Sequence, residues 1–201
     1  MILLALLLHG MVDTLELPFS AKALTPLTQG RIAFLTGEGD RLVIFSPPGS
    51  VVDSISLPER VVFAQRILLN EDLFYVISGS ELILYDLKTG KKGVIAKDID
   101  DAVLTSIGEI WTLSDFSLKR LSPLGRQLES INLTRRPLRL ECFDDSLIPL
   151  FPGERVKADW SDELEKSNQE SLIYSTSQYL IAMTKDALYI LADSKRVLMI
   201  R

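Results

Sequence analysis

The amino-acid sequence predicts an all-β fold, a β-propeller-like array of about five four-stranded antiparallel blades, the fourth of them irregular. The first observation is a repeated phrase: residues 12–18 (VDTLELP) return as 52–58 (VDSISLP), with a weaker copy at 130–134 (SINLT). The second is a series of short apolar runs rich in Ile, Val, Phe and Tyr, separated by turn residues, which favours strands. The third is the spacing of 41 and 35 residues between the turn residues Gly49, Gly90 and Gly125. Four-stranded units that repeat about every 40 residues are typical of propeller blades.

The clearest blade is predicted between Glu59 and Lys97. Its strands are predicted at 61–64, 73–77, 82–86 and 94–96, with a turn at 87–90. The two middle runs are continuously apolar, which is expected of strands that are covered on both faces. Gly90 is expected to supply a positive φ in the hairpin turn.

The other blades follow the same order of apolar runs and turns. In the fourth strands, such as 54–57 and 14–17, polar and apolar residues alternate, which predicts an outer strand with one face in solvent. The runs are at 32–35, 42–45 and 54–57 upstream; at 110–113, 118–121 and 130–133 downstream; at 138–143 and 147–151 in the irregular blade; and at 172–174, 179–183, 187–191 and 196–200 in the last blade.

The strand at 14–17 precedes the first full blade, so it is predicted to join a blade otherwise supplied by the C-terminus. The last blade already has a fourth run at 196–200. Two arrangements therefore remain open: a closing blade with an added strand, or an open or incomplete array. A blade cannot cover both faces of its sheet alone, so either arrangement must bury the terminal blades.

The N-terminal residues predict export from the cytoplasm. Residues 2–8 are all apolar, which fits the hydrophobic region of a secretory signal at 1–11, although the usual basic residues are missing. The remaining chain, 12–201, is predicted to be one domain with an insertion at about 153–171. The alternative interpretation is a first buried strand in a cytosolic protein. No other apolar run approaches the roughly 20 residues of a membrane-spanning helix, so no transmembrane anchor is expected.

Composition and charge limit the possible chemistry. The net charge of −5 gives no overall basic field, so no nucleic-acid partner is expected. The only histidine, His9, lies in the predicted signal, and without it the mature chain has neither the commonest general base nor a Ser-His-Asp or Cys-His site. The single cysteine, Cys142, lies in an apolar run and is interpreted as a buried small side chain. No cofactor is expected.

Three groups of residues remain as candidate sites. Asp98, Asp100 and Asp101 lie together between two blades, where carboxylate oxygens are weak candidates for binding Ca²⁺. Arg135, Arg136 and Arg139 form the one basic cluster, a candidate for contacting an acidic partner. Trp160 and Leu164 share a face of a short helix predicted in the insertion, from Ser161 as its N-cap, and are candidates for anchoring a partner. The alternative for Trp160 is packing on the irregular blade.

The segment 84–90 (LYDLKTG), an apolar strand ending in a D-x-x-x-G turn, resembles the blades of bacterial secreted propellers of the NHL and quinoprotein-like groups. The resemblance covers roughly residues 12–200, and it implies a binding or scaffolding propeller whose partner is another protein or a cell-envelope component. The leading hypothesis is therefore a non-catalytic extracytoplasmic module. The alternatives are a propeller hydrolase or lyase that acts on a polysaccharide through carboxylates or a bound ion, and a cytosolic sensor domain.

Overall fold

A computed structural model describes residues 12–27, 31–46, 50–143, 146–151, 180–183 and 188–200, and these residues form β-strands joined by turns and short connections. The described residues contain no helix, and hence none of them forms a helix that could cross a membrane. The strands are β1 (Val12–Glu16), β2 (Ala21–Pro26), β3 (Ile32–Thr36), β4 (Arg41–Ser46), β5 (Ser50–Ser56), β6 (Arg66–Asn70), β7 (Leu73–Ser78), β8 (Glu81–Asp86), β9 (Lys92–Lys97), β10 (Asp101–Leu104), β11 (Ile110–Ser114), β12 (Ser117–Leu121), β13 (Gln127–Asn132), β14 (Arg139–Phe143), β15 (Ser146–Leu150), β16 (Leu180–Met183), β17 (Leu188–Asp193) and β18 (Arg196–Ile200).

The described strands form five antiparallel sheets, which confirms the predicted all-β, propeller-like class. Four sheets have four strands, in the orders β2-β3-β4-β5, β6-β7-β8-β9, β10-β11-β12-β13 and β1-β18-β17-β16. The fifth contains the pair β14-β15, at the place of the predicted irregular blade. The chain divides into two compact units, one of Met1–Ser56 with Arg155–Arg201 and one of Leu57–Glu154.

Unit 1 (Met1–Ser56 with Arg155–Arg201) contains the β2–β5 sheet and the sheet that β1 completes. Their facing side chains form one apolar core, in which Phe34 meets Phe19 and Phe45 in edge-on ring contacts. Such contacts add stability beyond area burial. The buried residues of this core are Leu17, Ala21, Leu24, Ile32, Phe34, Phe45, Tyr189, Leu191, Val197 and Met199.

Unit 2 (Leu57–Glu154) contains the sheets β6–β9 and β10–β13 and the pair β14-β15. Tyr75, Ile77 and Ile110 are fully or almost fully buried in the core between the first two sheets. A second core joins Leu113 and Val103 to Leu140 of β14, with half-buried Cys142 packed against it. The first strands β6, β10 and β14 are neighbours, with β10 in the middle.

The repeated phrase occupies the same place in two sheets. In the first copy Leu15 pairs with Val197 and Glu16 with Arg196. In the second copy Ile55 pairs with Leu42 and Ser56 with Arg41. Residues 196–199 (RVLM) of β18 therefore correspond to 41–44 (RLVI) of β4. The third copy keeps this register, because Ile131 pairs with Leu118.

The structure corrects three strand assignments. Residues 61–64, predicted as a first strand, lie in a connection, and the first strand is β6, whose apolar run 67–69 is the one that is buried. The inner strands β2 and β10 were missed, because small or acidic residues interrupt their apolar pattern. The run 196–200 is not a fourth strand: β18 is the third strand of its sheet and β1 the fourth, so no strand is added to a complete blade. The first run predicted for this blade, 172–174, lies outside the described residues.

The outer strands have the predicted wet face. In β1, Thr14 and Glu16 are exposed while Leu15 is half-buried against the core of unit 1. The outer strands β5, β9 and β13 each carry a β-bulge where they pair with their neighbours, and bulges of this kind protect sheet edges from pairing with other chains. Gly90 and Gly125 have the expected positive φ, 70° and 86°. Gly49 lies outside the described residues.

Candidate functional site

Unit 2 brings charged residues together at the edge where its inner strands begin, which we call the leading edge. Arg66, Asp101 and Arg139 are the first residues of β6, β10 and β14, and Glu141 follows two residues into β14. The four side chains retain only 10% to 17% of their exposure. Two positive and two negative charges are thus buried together, which is the condition under which charges are tolerated inside a protein.

Arg66 is the centre of this ionic cluster. Its Nη1 donates to both carboxylate oxygens of Asp101, at 3.0 and 2.8 Å, and to the carbonyl oxygen of Leu140 at 2.9 Å. Its Nη2 donates to Glu141 Oε2 at 3.2 Å. One guanidinium group therefore links β6 to both β10 and β14. Charge-assisted hydrogen bonds of this kind are stronger than neutral ones.

Asp101 and Glu141 complete the links between inner strands. Asp101 accepts hydrogen bonds from the backbone N–H groups of Ala102 and Leu140, at 2.9 and 2.8 Å, in addition to those from Arg66. The second oxygen of Glu141 lies 2.6 Å from Nε of Arg139. Each carboxylate is therefore held by a guanidinium group.

The two arginines differ in their electrostatic surroundings. Burial alone lowers the pKa of Arg66, but the charges of Asp101 and Glu141 outweigh burial and raise it above its usual value. Burial lowers the pKa of Arg139, and the like charge of Arg66 lowers it further, against the opposing effect of Glu141 and Asp101. Arg66 is the better compensated of the two, so its positive charge is a permanent part of the cluster.

A second, more exposed ionic group ties the loops at the leading edge. Arg136 Nη2 donates to the two oxygens of Asp100 at 3.3 and 3.2 Å, and Arg136 Nε lies 3.4 Å from Asp115 Oδ1. The backbone N–H of Asp115 donates to Asp100 Oδ2 at 2.9 Å. The backbone N–H of Leu133 donates to the carbonyl oxygen of Phe116 at 2.7 Å. These bonds hold the β11–β12 turn against the connections that precede β10 and β14.

The predicted basic cluster is divided among different partners. Arg136 joins Asp100 and Asp115, and Arg139 is buried beside Glu141. Arg135 lies over the ring of Phe151, 4.7 Å from its centroid, in a cation–π contact. The three arginines therefore do not form one shared basic surface. Their role in binding a partner stays a prediction.

Large apolar side chains are exposed around the same edge. Val62, Phe63, Phe116 and Leu138 keep 88%, 58%, 46% and 64% of their exposure. Val62 and Phe63 precede β6, Phe116 lies in the β11–β12 turn, and Leu138 precedes β14. Large apolar side chains exposed along one edge are candidates for an interaction surface.

The connection that carries Val62 and Phe63 is fixed on both sides. Val61 is buried, and the backbone N–H of Gln65 donates to the carbonyl oxygen of Ile77 at 2.8 Å. Before it, Glu59 accepts a hydrogen bond from Lys92 and lies 3.4 Å from the Tyr85 hydroxyl oxygen. Val62 and Phe63 are therefore presented on an anchored segment.

The predicted acidic group separates in the structure. Asp101 belongs to the buried cluster and Asp100 binds Arg136. Asp98 lies in the connection between β9 and β10, with a φ of 55°. Within the described ranges, no three His, Cys, Asp or Glu side chains lie close enough together to hold a metal ion. Trp160 and Leu164 lie outside the described residues, as does the insertion that contains them.

Sequence reasoning missed Arg66, Glu141 and Phe63. Arg66 stands alone in the sequence, and its acidic partners follow 35 and 75 residues later, so no local pattern reveals them. Phe63 was included in an apparent strand. The apolar run at 67–69, which directly follows Arg66, is the sequence signal for the true first strand, and it indicates that Phe63 lies before that strand.

Comparison with known proteins finds likeness in structure alone. No family model matches the chain, and no curated protein matches it in sequence. Virginiamycin B lyase from Staphylococcus aureus aligns over 90% of this chain and 67% of its own, with 12% identity and a TM-score of 0.44. A catalytically inactive form of that lyase with quinupristin gives 0.47 at the same identity and coverage. PorZ, a surface component of the type-IX secretion system of Porphyromonas gingivalis, aligns over 85% of this chain and 24% of its own, at 10% identity and a TM-score of 0.43. Likeness of this size says nothing about the activity of this chain.

Proposed function

We propose that this chain is a non-catalytic, propeller-like module that binds another protein through the leading edge of unit 2. The observation that carries the proposal is the exposure of Val62, Phe63, Phe116 and Leu138 at that edge. Two of the four are phenylalanines, and aromatic side chains are enriched at the centres of protein interfaces. The ion pairs of Arg136 with Asp100 and Asp115 supply a polar border.

The charges beneath this surface support a binding role. Asp101 and Glu141 are engaged by Arg66 and Arg139, so the cluster rigidifies the inner strands. A rigid support reduces the entropy lost when a partner binds. The function assigned to the cluster is therefore to hold the exposed apolar groups in place.

Site-specific photo-crosslinking in the native host tests this proposal. A benzophenone-bearing phenylalanine analogue replaces Phe63, and the same analogue replaces Leu124 as the control. Leu124 is more accessible than Phe63, at 71% exposure against 58%, but lies in the β12–β13 turn at the opposite ends of the strands. We expect one defined protein adduct from position 63 and none from position 124.

A second substitution assigns the adduct to the surface. Leu138→Ser in the same chain should weaken the adduct from position 63, because it removes another apolar group of the surface. Equal adducts from both positions, or no adduct from position 63 in a folded and expressed chain, would contradict the proposal.

A second candidate is action on a polysaccharide, favoured by the convergence of two carboxylates, Asp101 and Glu141, on Arg66. Pairs of carboxylates perform glycoside hydrolysis. Purified chain incubated with anionic and neutral polysaccharides, followed by chromatography of the products, separates the two candidates. Depolymerisation that Glu141→Gln abolishes would replace the binding proposal. Intact polysaccharide is the result expected here.

We also propose that the module acts outside the cytoplasm. The apolar run at 2–8 supports this location. Mass spectrometry of the N-terminus of protein recovered from its native host tests it: a new N-terminus near residue 12 is expected, and an intact Met1 favours the cytosolic sensor instead.

A further inference from the structure

Among the outer strands that the structure describes, β1 has a different connection to its sheet. The outer strands β5, β9 and β13 follow their neighbours after short turns, so a hairpin holds each in place. The partner of β1 is β18, which lies about 180 residues further along the chain. No hairpin therefore ties β1 to β18, and its one covalent tether among the described residues is the short connection to β2, where the backbone N–H of Ala21 donates to the carbonyl oxygen of Ser194 at 2.6 Å.

The contacts of β1 are the ladder with β18 and two apolar side chains. Five residue pairs join β1 to β18 without a register shift, and the backbone N–H of Leu17 donates to the carbonyl oxygen of Lys195 at 2.8 Å. Leu15 and Leu17 contact the core of unit 1. Asp13, Thr14 and Glu16 are exposed. A short strand at a sheet edge, exposed on one face, opens more easily than the buried inner strands of the fold.

The edge of β18 accepts a defined sequence pattern. Residues 13–16 pair with 196–199 in the register in which 53–56 pair with 41–44, and the bulge in β5 follows at residue 52. Both copies place an apolar side chain, Leu15 or Ile55, opposite an apolar side chain and place polar residues on either side. The pattern VD(T/S)(L/I)xLP thus forms an outer strand in two sheets, and a segment that carries it can place the same residue types against β18.

We propose that the edge of β18 is a strand-acceptor site and that β1 of a second copy of this chain occupies it by strand exchange. A strand from a second copy makes the same hydrogen bonds with β18 as the chain's own β1. The two strands therefore compete only through their concentrations, and the chain's own strand is favoured because it is tethered nearby. Exchange of an identical element is a low-cost route to a dimer. The unbroken register of β1 allows it, whereas the bulges of β5, β9 and β13 oppose such pairing.

Disulfide trapping in the full chain tests the exchange. Thr14 and Leu198 are paired residues, and paired residues in antiparallel strands lie within the Cα separation that a disulfide needs. The variant Thr14→Cys/Leu198→Cys is equilibrated under reducing conditions at 10 µM and at 1 mM and then oxidised. For an effective concentration on the order of 1 mM, roughly 1% of chains should be linked to a second copy at the lower concentration and about half at the higher.

The matched control is Ser117→Cys/Asn132→Cys, a paired position in the hairpin β12–β13. This pair should close within one chain at both concentrations. Thr14→Cys alone measures nonspecific links, including those through Cys142. A dimer fraction at 1 mM that does not exceed the control overturns the proposal.

A peptide experiment tests the acceptor site separately. The full chain carrying Leu15→Pro has a weakened β1, because proline cannot donate to the ladder. A fluorescent peptide of residues 12–18 should bind this chain at least tenfold more tightly than it binds the unchanged chain, and an unlabelled peptide of residues 52–58 should displace it. Absence of binding to a Leu15→Pro chain that keeps its circular-dichroism spectrum contradicts the proposal, and if that chain does not fold, the trapping experiment decides.

Discussion

Replacement of Arg66 by methionine should destabilise unit 2 more than any comparable change at an exposed ion pair. Arg66 donates to Asp101, Glu141 and the Leu140 carbonyl, and these groups are almost completely removed from solvent. Removal of one member of a buried ion pair costs about 3–5 kcal/mol, because it leaves charge without compensation. We expect the Arg66→Met variant to lose about that much free energy of unfolding at pH 7.

The matched control is Arg136→Met, which is the same chemical change in the same unit. Arg136 is 56% exposed and its acidic partners are also exposed, so the expected loss is about 0–1 kcal/mol. Urea unfolding, followed by circular dichroism, measures both variants against the unchanged chain. An Arg66→Met loss within about 1 kcal/mol of the control would contradict the stabilising role assigned to the buried cluster.

Two further predictions concern turns and a buried phenol. Gly90→Ala should lower the free energy of unfolding by about 1–2 kcal/mol, because of the positive φ alone. Gly125→Ala should lower it more, because the added Cβ would also lie 2.6 Å from Cβ of Ile95. Equal losses of stability in thermal unfolding would contradict this difference. Burial raises the pKa of Tyr75 to about 12, and its hydroxyl donates to the Pro123 carbonyl at 3.0 Å. Since the folded chain holds this proton more tightly than the unfolded chain, stability from Tyr75 should be complete below pH 10 and lost as the pH rises through 12. Ultraviolet titration should show one phenol ionising near 12 that Tyr75→Phe removes, with a stability loss of about 1 kcal/mol at pH 7; no late-titrating phenol would contradict the assignment.

The sequence was sufficient for the parts of the fold that local patterns encode. Continuous apolar runs identified β3 and β7, and alternation identified the wet outer strands. The first strands β6 and β10 were harder to predict from the sequence. Each begins with a charged residue, Arg66 or Asp101, that pairs with a charge on a neighbouring strand. Asp101 reads as a loop acid, and only its contact with Arg66 explains an acid at the start of a buried strand.

The position of β1 was predicted only in part, because the strands of the C-terminal blade were assigned wrongly. The phrase at 12–18 indicated an outer strand of the C-terminal blade, but 196–200 was counted as a fourth strand because counting began from 172–174. In the structure β1 pairs with β18 in the register in which β5 pairs with β4. β18 is therefore the third strand of its sheet and β1 the fourth. The leading edge of unit 2 was not predictable, because Arg66 and Glu141 meet only after three inner strands assemble.

The copies of the repeated phrase at 12–18 and 52–58 form equivalent outer strands, and the first copy completes the C-terminal sheet with β16, β17 and β18. Cross-strand nuclear Overhauser effects in solution test this arrangement. We expect contacts of residues 13–15 with residues 197–199, in the register that pairs Thr14 with Leu198, and corresponding contacts of Ser54 with Val43. Contacts of residues 13–15 with any other strand, or a register displaced by one residue, would contradict this arrangement.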